Sequence, residues 1–172
     1  MPATVESLFL DFSAQKLEQL AQRIAACLDK LSDDQVWHRD SNNENAVGNL
    51  VLHLCGNLRQ WFGTGVAGKP DIRVRDREFA ARGDIAVSDL KDRLQAAVED
   101  AVAILRALPA ARLTENITVQ GYEQPVLQAI YHVVEHFAQH SGQIVFATKH
   151  FTGEDMGFYR HLSQASHSKK TP

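Results

Sequence analysis

The chain has 172 residues, of which 44% are hydrophobic and 23% are charged, a composition typical of one soluble globular domain. Its formal net charge of −3 and its scattered lysines and arginines argue against nucleic-acid binding. The sequence shows no signal-peptide pattern and no apolar stretch long enough to span a bilayer, so we expect a cytoplasmic protein without a membrane partner.

The residue pattern indicates one domain, over residues 1–162, followed by a flexible tail over residues 163–172. The chain has two cysteines, Cys27 and Cys55, each inside an apolar helical pattern. This usage predicts buried free thiols in a reducing compartment rather than a disulfide framework.

Apolar residues recur at steps of three and four in four segments, which is the periodicity of amphipathic helices. The predicted helices lie near residues 4–31, 45–63, 88–108 and 125–150. We interpret the charged run over residues 71–83 as a long solvated crossover loop between the second and third helices, with a substrate-binding role as the alternative. A small extended segment or hairpin is expected over residues 113–124. The sequence therefore predicts an all-α fold, a four-helix bundle with a small hairpin before helix four.

The second predicted helix contains a histidine among leucines. His53 lies in the middle of this helix, and Asn49 and Asn57 lie one turn before and after it on the same face. Buried polar groups need partners, so this strip predicts either a hydrogen-bonded core histidine or a ligand.

The fourth predicted helix carries three histidines at four-residue spacing, His132, His136 and His140, on nearly the same face. A helical His-x-x-x-His pair places two ring nitrogens within reach of one metal ion. The outer two histidines are about 12 Å apart along the helix axis, so one ion binds either the first pair or the second. A stripe of partly exposed histidines without a metal is the alternative.

His53 and a histidine pair of the fourth helix would meet inside a bundle that brings these two helices together. Three imidazoles buried without a metal would leave ring nitrogens poorly paired, whereas one divalent ion satisfies all of them. Three ligands with open coordination positions are typical of a catalytic site. We expect zinc or nickel, with iron or manganese as alternatives.

Two segments, residues 48–61 and 133–144, resemble the DinB/YfiT-like superfamily, and residues 75–79 and 152–159 support the resemblance. The resemblance covers nearly the whole chain. It implies a four-helix bundle of up-down-down-up order in which His53, His136 and His140 bind a divalent metal ion and His132 does not. Several relatives are identified as metal-dependent thiol S-transferases that use low-molecular-weight thiols such as bacillithiol or mycothiol, whereas many members have no assigned activity.

The predicted function is that of a divalent-metal-dependent enzyme that activates a low-molecular-weight thiol for S-transfer to an electrophilic small-molecule substrate. One alternative is a metal-dependent hydrolase that uses a metal-activated water. Another is a metal-binding or dimerising protein without turnover, expressed under stress.

Four further residues, Asn57, Arg59, Tyr131 and Gln143, are candidates to orient the ligands or the substrate, with a structural role as the alternative. No catalytic acid or base is identified from the sequence. The wide apolar faces of helices one and three favour a homodimer, although they would equally serve the core of a monomer.

Overall fold

The computed structural model describes residues 3–163, so the tail predicted from residue 163 lies, from residue 164 onward, outside the described residues. In chain order the helices are α1 (Val5–Leu28), α2 (Asp33–Trp37), α3 (Val47–Leu58), α4 (Arg75–Ala80), α5 (Val87–Ala107) and α6 (Val126–Thr152). The four long helices α1, α3, α5 and α6 confirm the helices predicted from apolar periodicity.

The remaining elements are short. They comprise a π-helical segment that continues α3 (Arg59–Val66), two 3-10 turns (Ala110–Thr114 and Arg160–Ser163), and the strands β1 (Asn116–Val119) and β2 (Tyr122–Pro125). The strands pair antiparallel and confirm the expected hairpin. Its two-residue turn, Gln120 and Gly121, has positive φ at both positions, 54° and 82°, as a tight hairpin requires.

The four long helices form the predicted bundle of up-down-down-up order. α1 packs against α5 and α6, and α3 packs against the same two helices, so α3 lies between α5 and α6. The core between them is apolar, and Phe62, Phe137 and Leu17 are among its largest fully buried side chains. Burial of each such side chain stabilises the fold by about 1.5–3 kcal/mol.

Two expectations from composition can be compared with the structure. Cys27 and Cys55 are both free and buried, as predicted. Within residues 3–163, none of the helices combines the length and the apolar character that crossing a membrane demands.

The crossover between α3 and α5 differs from the predicted solvated loop. Its centre is the helix α4, in which Glu78 is only 8% exposed. Asn49 of α3 anchors this region, because its Nδ2 donates hydrogen bonds to the backbone carbonyls of Glu78 (2.8 Å) and Ala81 (3.1 Å). The interpretation as a solvated loop was therefore wrong for this part of the run.

Candidate metal centre

Three histidine side chains meet between α3 and α6. Nε2 of His136 lies 3.1 Å from Nε2 of His53 and 3.1 Å from Nε2 of His140. All three ligand atoms lie within 4.8 Å of one another. Zn–N bonds of 2.0–2.1 Å at tetrahedral angles place the nitrogens about 3.3 Å apart. The two separations of 3.1 Å are close to this value, so the three imidazoles could hold one ion.

The opposite ring nitrogens of two histidines have acceptors as partners. Nδ1 of His53 is 3.0 Å from Oε2 of Glu78, and Nδ1 of His140 is 2.6 Å from Oε1 of Gln143. Nη2 of Arg73, which donates to Oε2 of Glu78, also lies 3.0 Å from Nδ1 of His53. We assign the hydrogen to Nδ1 of His53 and of His140, because an ionised carboxylate and an amide oxygen only accept. In these tautomers each Nε2 presents a lone pair to the centre. A single proton on Nε2 of His136 can form a good hydrogen bond with Nε2 of only one of the other two histidines. A metal cation, in contrast, can accept the lone pairs of all three Nε2 atoms.

Arg73 holds the carboxylate of Glu78 in place. Its Nε donates to Oε1 (2.7 Å) and its Nη2 to Oε2 (2.8 Å), in the bidentate geometry that gives strong and directional pairing. Its Nη1 donates to Oε1 of Gln60 at 2.8 Å. The Arg73 side chain is only 4% exposed. Glu78 is thus fixed between the arginine and His53.

Gly56 makes room for this ion pair on α3. A Cβ at this position would lie 1.9 Å from Oε1 of Glu78 and 2.9 Å from Nε of Arg73. Any larger residue would therefore push the carboxylate away from His53.

The local environment favours the neutral form of His136 and His140. Burial, with smaller effects from the charges of His140 and His53, lowers the pKa of His136 to about 3. Burial also lowers the pKa of His140, against the opposing hydrogen bond to Gln143. Burial raises the pKa of Glu78, but the hydrogen bonds and charges of Arg73 and His53 outweigh it and leave this pKa below its usual value. Neutral imidazole is the form that binds metal.

His136 differs from the other two histidines in one respect. Its Nδ1 is buried and has no hydrogen-bond partner among the described residues. An unpaired buried polar atom costs about 1–3 kcal/mol.

The remaining member of the stripe, His132, lies apart from the three Nε2 atoms. Its ring packs on Trp61 with centroids 4.9 Å apart, and its centroid is 6.0 Å from that of His136. It does not belong to the group whose ligand atoms converge.

The four residues proposed to orient ligands or substrate have different positions. Gln143 contacts His140. Asn57 is buried one turn after His53, and Tyr131 is 63% exposed on α6. Arg59 is exposed and lines a cavity beside α5 rather than the histidine site.

The sequence did not identify Arg73, Glu78 or Gly56 as parts of the site. A signal was present, since residues 75–79 were among those that resemble a known family. Periodicity could not reveal the burial of Glu78, because α4 is only six residues long.

A bundle with histidines of α3 and α6 side by side is what the resemblance to the DinB/YfiT-like superfamily implied, and the comparisons with known proteins agree with the fold. A family model described as "Protein of unknown function (DUF1572)" matches residues 4–165. The chain therefore belongs to the DUF1572 family, which is DinB-like, and the predicted resemblance is confirmed.

Two solved structures show the same fold. A conserved protein from Enterococcus faecalis has a TM-score of 0.73 and 15% identity, and the match covers 89% of this chain and 100% of that chain. A DinB-like protein from Bacillus cereus has a TM-score of 0.67 and 16% identity, and covers 91% of this chain and 97% of that chain. No curated protein matches the chain.

Proposed function

We propose that this protein is a divalent-metal-dependent enzyme that activates a low-molecular-weight thiol for S-transfer to an electrophilic small molecule. The observation that supports it best is the convergence of Nε2 of His53, His136 and His140, two of them oriented through Nδ1. Three protein ligands leave coordination positions open, as catalytic sites do. Zinc or nickel is the proposed metal, with iron or manganese as alternatives.

The surroundings of the site favour a thiol over a water molecule as nucleophile. A bound divalent ion would supply Lewis-acid chemistry that lowers the pKa of either. A free thiol has a pKa near 8.5, against about 15.7 for water, so the thiol needs less additional help from a base. Among residues 3–163, Glu78 is the carboxylate that contacts a triad histidine, and Arg73 and His53 already occupy it. We therefore place the thiol reaction before the hydrolase alternative.

The residues of the chain have defined tasks in this proposal. Glu78 and Gln143 hold the protons on Nδ1 of His53 and His140, so that both Nε2 atoms keep lone pairs. Arg73 keeps Glu78 ionised and stationary. The low pKa of His136 keeps protons from competing for its Nε2 at neutral pH.

The test uses protein whose metal is replaced by cobalt. Addition of a small thiol should change the visible spectrum, and thiol and electrophile should be consumed together. His140→Ala should lose both signals, whereas His132→Ala should keep them. If thiols leave the spectrum unchanged and nothing is consumed although cobalt is bound, S-transfer is wrong and a binding protein without turnover is favoured.

A homodimer remains part of the proposal, and exposed apolar residues of α1 support an interface on that helix. The apolar face of α5 is buried within the bundle, whereas Val5, Leu8 and Phe12 of α1 are 81%, 56% and 55% exposed along one stripe. Light scattering should give twice the monomer mass, and Leu8→Lys should reduce it to one monomer. A wild-type monomer would contradict the dimer.

A further inference from the structure

A cavity of about 490 Å³ lies on the α5 side of α3, whereas the histidines meet on the α6 side. Its walls come from α3, the π-helical segment, the crossover and α5. Leu52, Phe62, Ala97 and Ile104 make much of the wall apolar, and none of the three triad histidines lines it. This volume lies within the range of about 300–1,000 Å³ that small-molecule pockets occupy.

The charged lining of the cavity is predominantly basic. Its exposed cations are Arg59, Lys69, Arg77 and Arg93. In the described part of the chain, none of these four side chains has a hydrogen bond or ion pair. The lining has two exposed acids. Asp71 already accepts hydrogen bonds from Gln60 (2.7 Å) and from the backbone N–H of Arg73 (3.0 Å). Asp100 is therefore the remaining exposed carboxylate that could balance the positive charges of the lining. An anion is therefore the complementary ligand.

Two of the cations lie near the same part of the apolar wall. Arg59 and Arg93 line the cavity together with Cys55, and the positive charges of both lower the pKa of this thiol against the larger effect of burial. Burial raises the pKa of Cys55 to about 12, so the thiol stays neutral and belongs to the apolar wall. Arginine binds carboxylates in bidentate geometry, and two arginines beside an apolar wall suit one carboxylate with an apolar body.

We propose that this cavity binds a small amphipathic carboxylate, with its charged group at Arg59 and Arg93 and its apolar body between α3 and α5. The cavity is separate from the metal centre, because the Arg73–Glu78 pair forms the wall between them. This site goes beyond the proposed thiol chemistry and does not depend on it.

Isothermal titration calorimetry of the metal-loaded protein with decanoate tests the proposal. Decanoate should bind at one saturable site, whereas acetate, which lacks the apolar body, should not saturate it. The double variant Arg59→Gln/Arg93→Gln should bind decanoate at least tenfold more weakly. Arg106→Gln/Arg112→Gln removes two ion-paired arginines elsewhere and should leave the affinity unchanged.

Two further variants locate the ligand. Ile104→Trp fills the cavity from α5 without changing charge and should also weaken binding, with the melting temperature as a check of folding. His140→Ala should leave decanoate binding intact, because the carboxylate does not use the metal. The proposal is overturned if decanoate fails to bind, if the two double variants bind alike, or if His140→Ala abolishes binding.

Discussion

The two sides of α3 differ in whether their charged side chains have partners. On the α6 side, His53 is part of a chain of hydrogen bonds through Glu78 and Arg73 in which the guanidinium and the carboxylate have partners. On the α5 side, apolar walls surround a cavity whose exposed cations have no side-chain partners among the described residues.

This difference separates a site that is fixed from one that can accept a ligand. Metal ligands have to be held in one orientation, and buried partners behind them provide that. A cavity for an organic anion instead gains from unpaired cations, because the ligand then replaces water rather than a protein partner. The Arg73–Glu78 pair belongs to both sides, since it supports His53 and forms a wall of the cavity.

Glu78→Gln should have the largest effect on the fixed side. It leaves the buried charge of Arg73 without its partner, so we expect the free energy of unfolding to fall by about 3–5 kcal/mol. Metal affinity should fall about 10–100-fold, because His53 loses its carboxylate. Denaturant unfolding and metal titration measure the two effects. The control Glu135→Gln, at an exposed position of α6, should change stability by less than about 0.5 kcal/mol. Equal behaviour of both variants would contradict the role of Glu78.

Gly56→Ala should have a smaller effect of the same kind. The added Cβ would overlap Oε1 of Glu78, so we expect a loss of about 1–3 kcal/mol in stability together with weaker metal binding. The matched control is Gly142→Ala on α6, where a Cβ meets no atom within 4 Å. That variant should be stabilised by about 0.5–1 kcal/mol, since alanine favours helix. A Gly56→Ala protein as stable as the control would show that the ion pair tolerates displacement.

A third expected effect is a pH dependence of the metal-free protein. The unfolded chain protonates His136 near pH 6.5, whereas in the folded protein its pKa is lowered to about 3. The unfolded state therefore binds more protons between these values, and the free energy of unfolding should fall as the pH drops below about 6.5 toward 3. Urea unfolding at pH 7 and at about pH 5 measures it. In His136→Gln the free energy of unfolding should depend less on pH. If its pH dependence is unchanged, groups other than His136 cause the effect.

Features repeated along the sequence were predictable. Apolar periodicity located all four long helices, and the four-residue spacing of His132, His136 and His140 indicated one face of α6. The meeting of His53 with that face followed from the bundle, and the structure confirms it with a contact of 3.1 Å. The choice between the two histidine pairs was not settled by spacing and depended on the family resemblance.

Features that depend on tertiary contacts were not predictable. The charged run over residues 71–83 looked solvated, because the burial of Arg73 and Glu78 arises only when the crossover packs on α3. Asn49 was expected to share a polar strip with His53 and to need a partner, but the sequence did not show that this partner is the backbone of the crossover. The periodicity of apolar residues could not predict the cavity beside α5, because its lining comes from several separate segments of the chain.

The metal content of two single variants tests the central claim most directly. His132 and His140 have the same spacing from His136, but only His140 has its Nε2 at the centre. Elemental analysis of protein purified without an affinity metal column should show a full equivalent of metal in His132→Ala and none in His140→Ala. His53→Ala and His136→Ala should behave like His140→Ala, and His38→Ala and His150→Ala like His132→Ala. Loss of metal from His132→Ala with retention in His140→Ala would contradict the three-histidine centre described above.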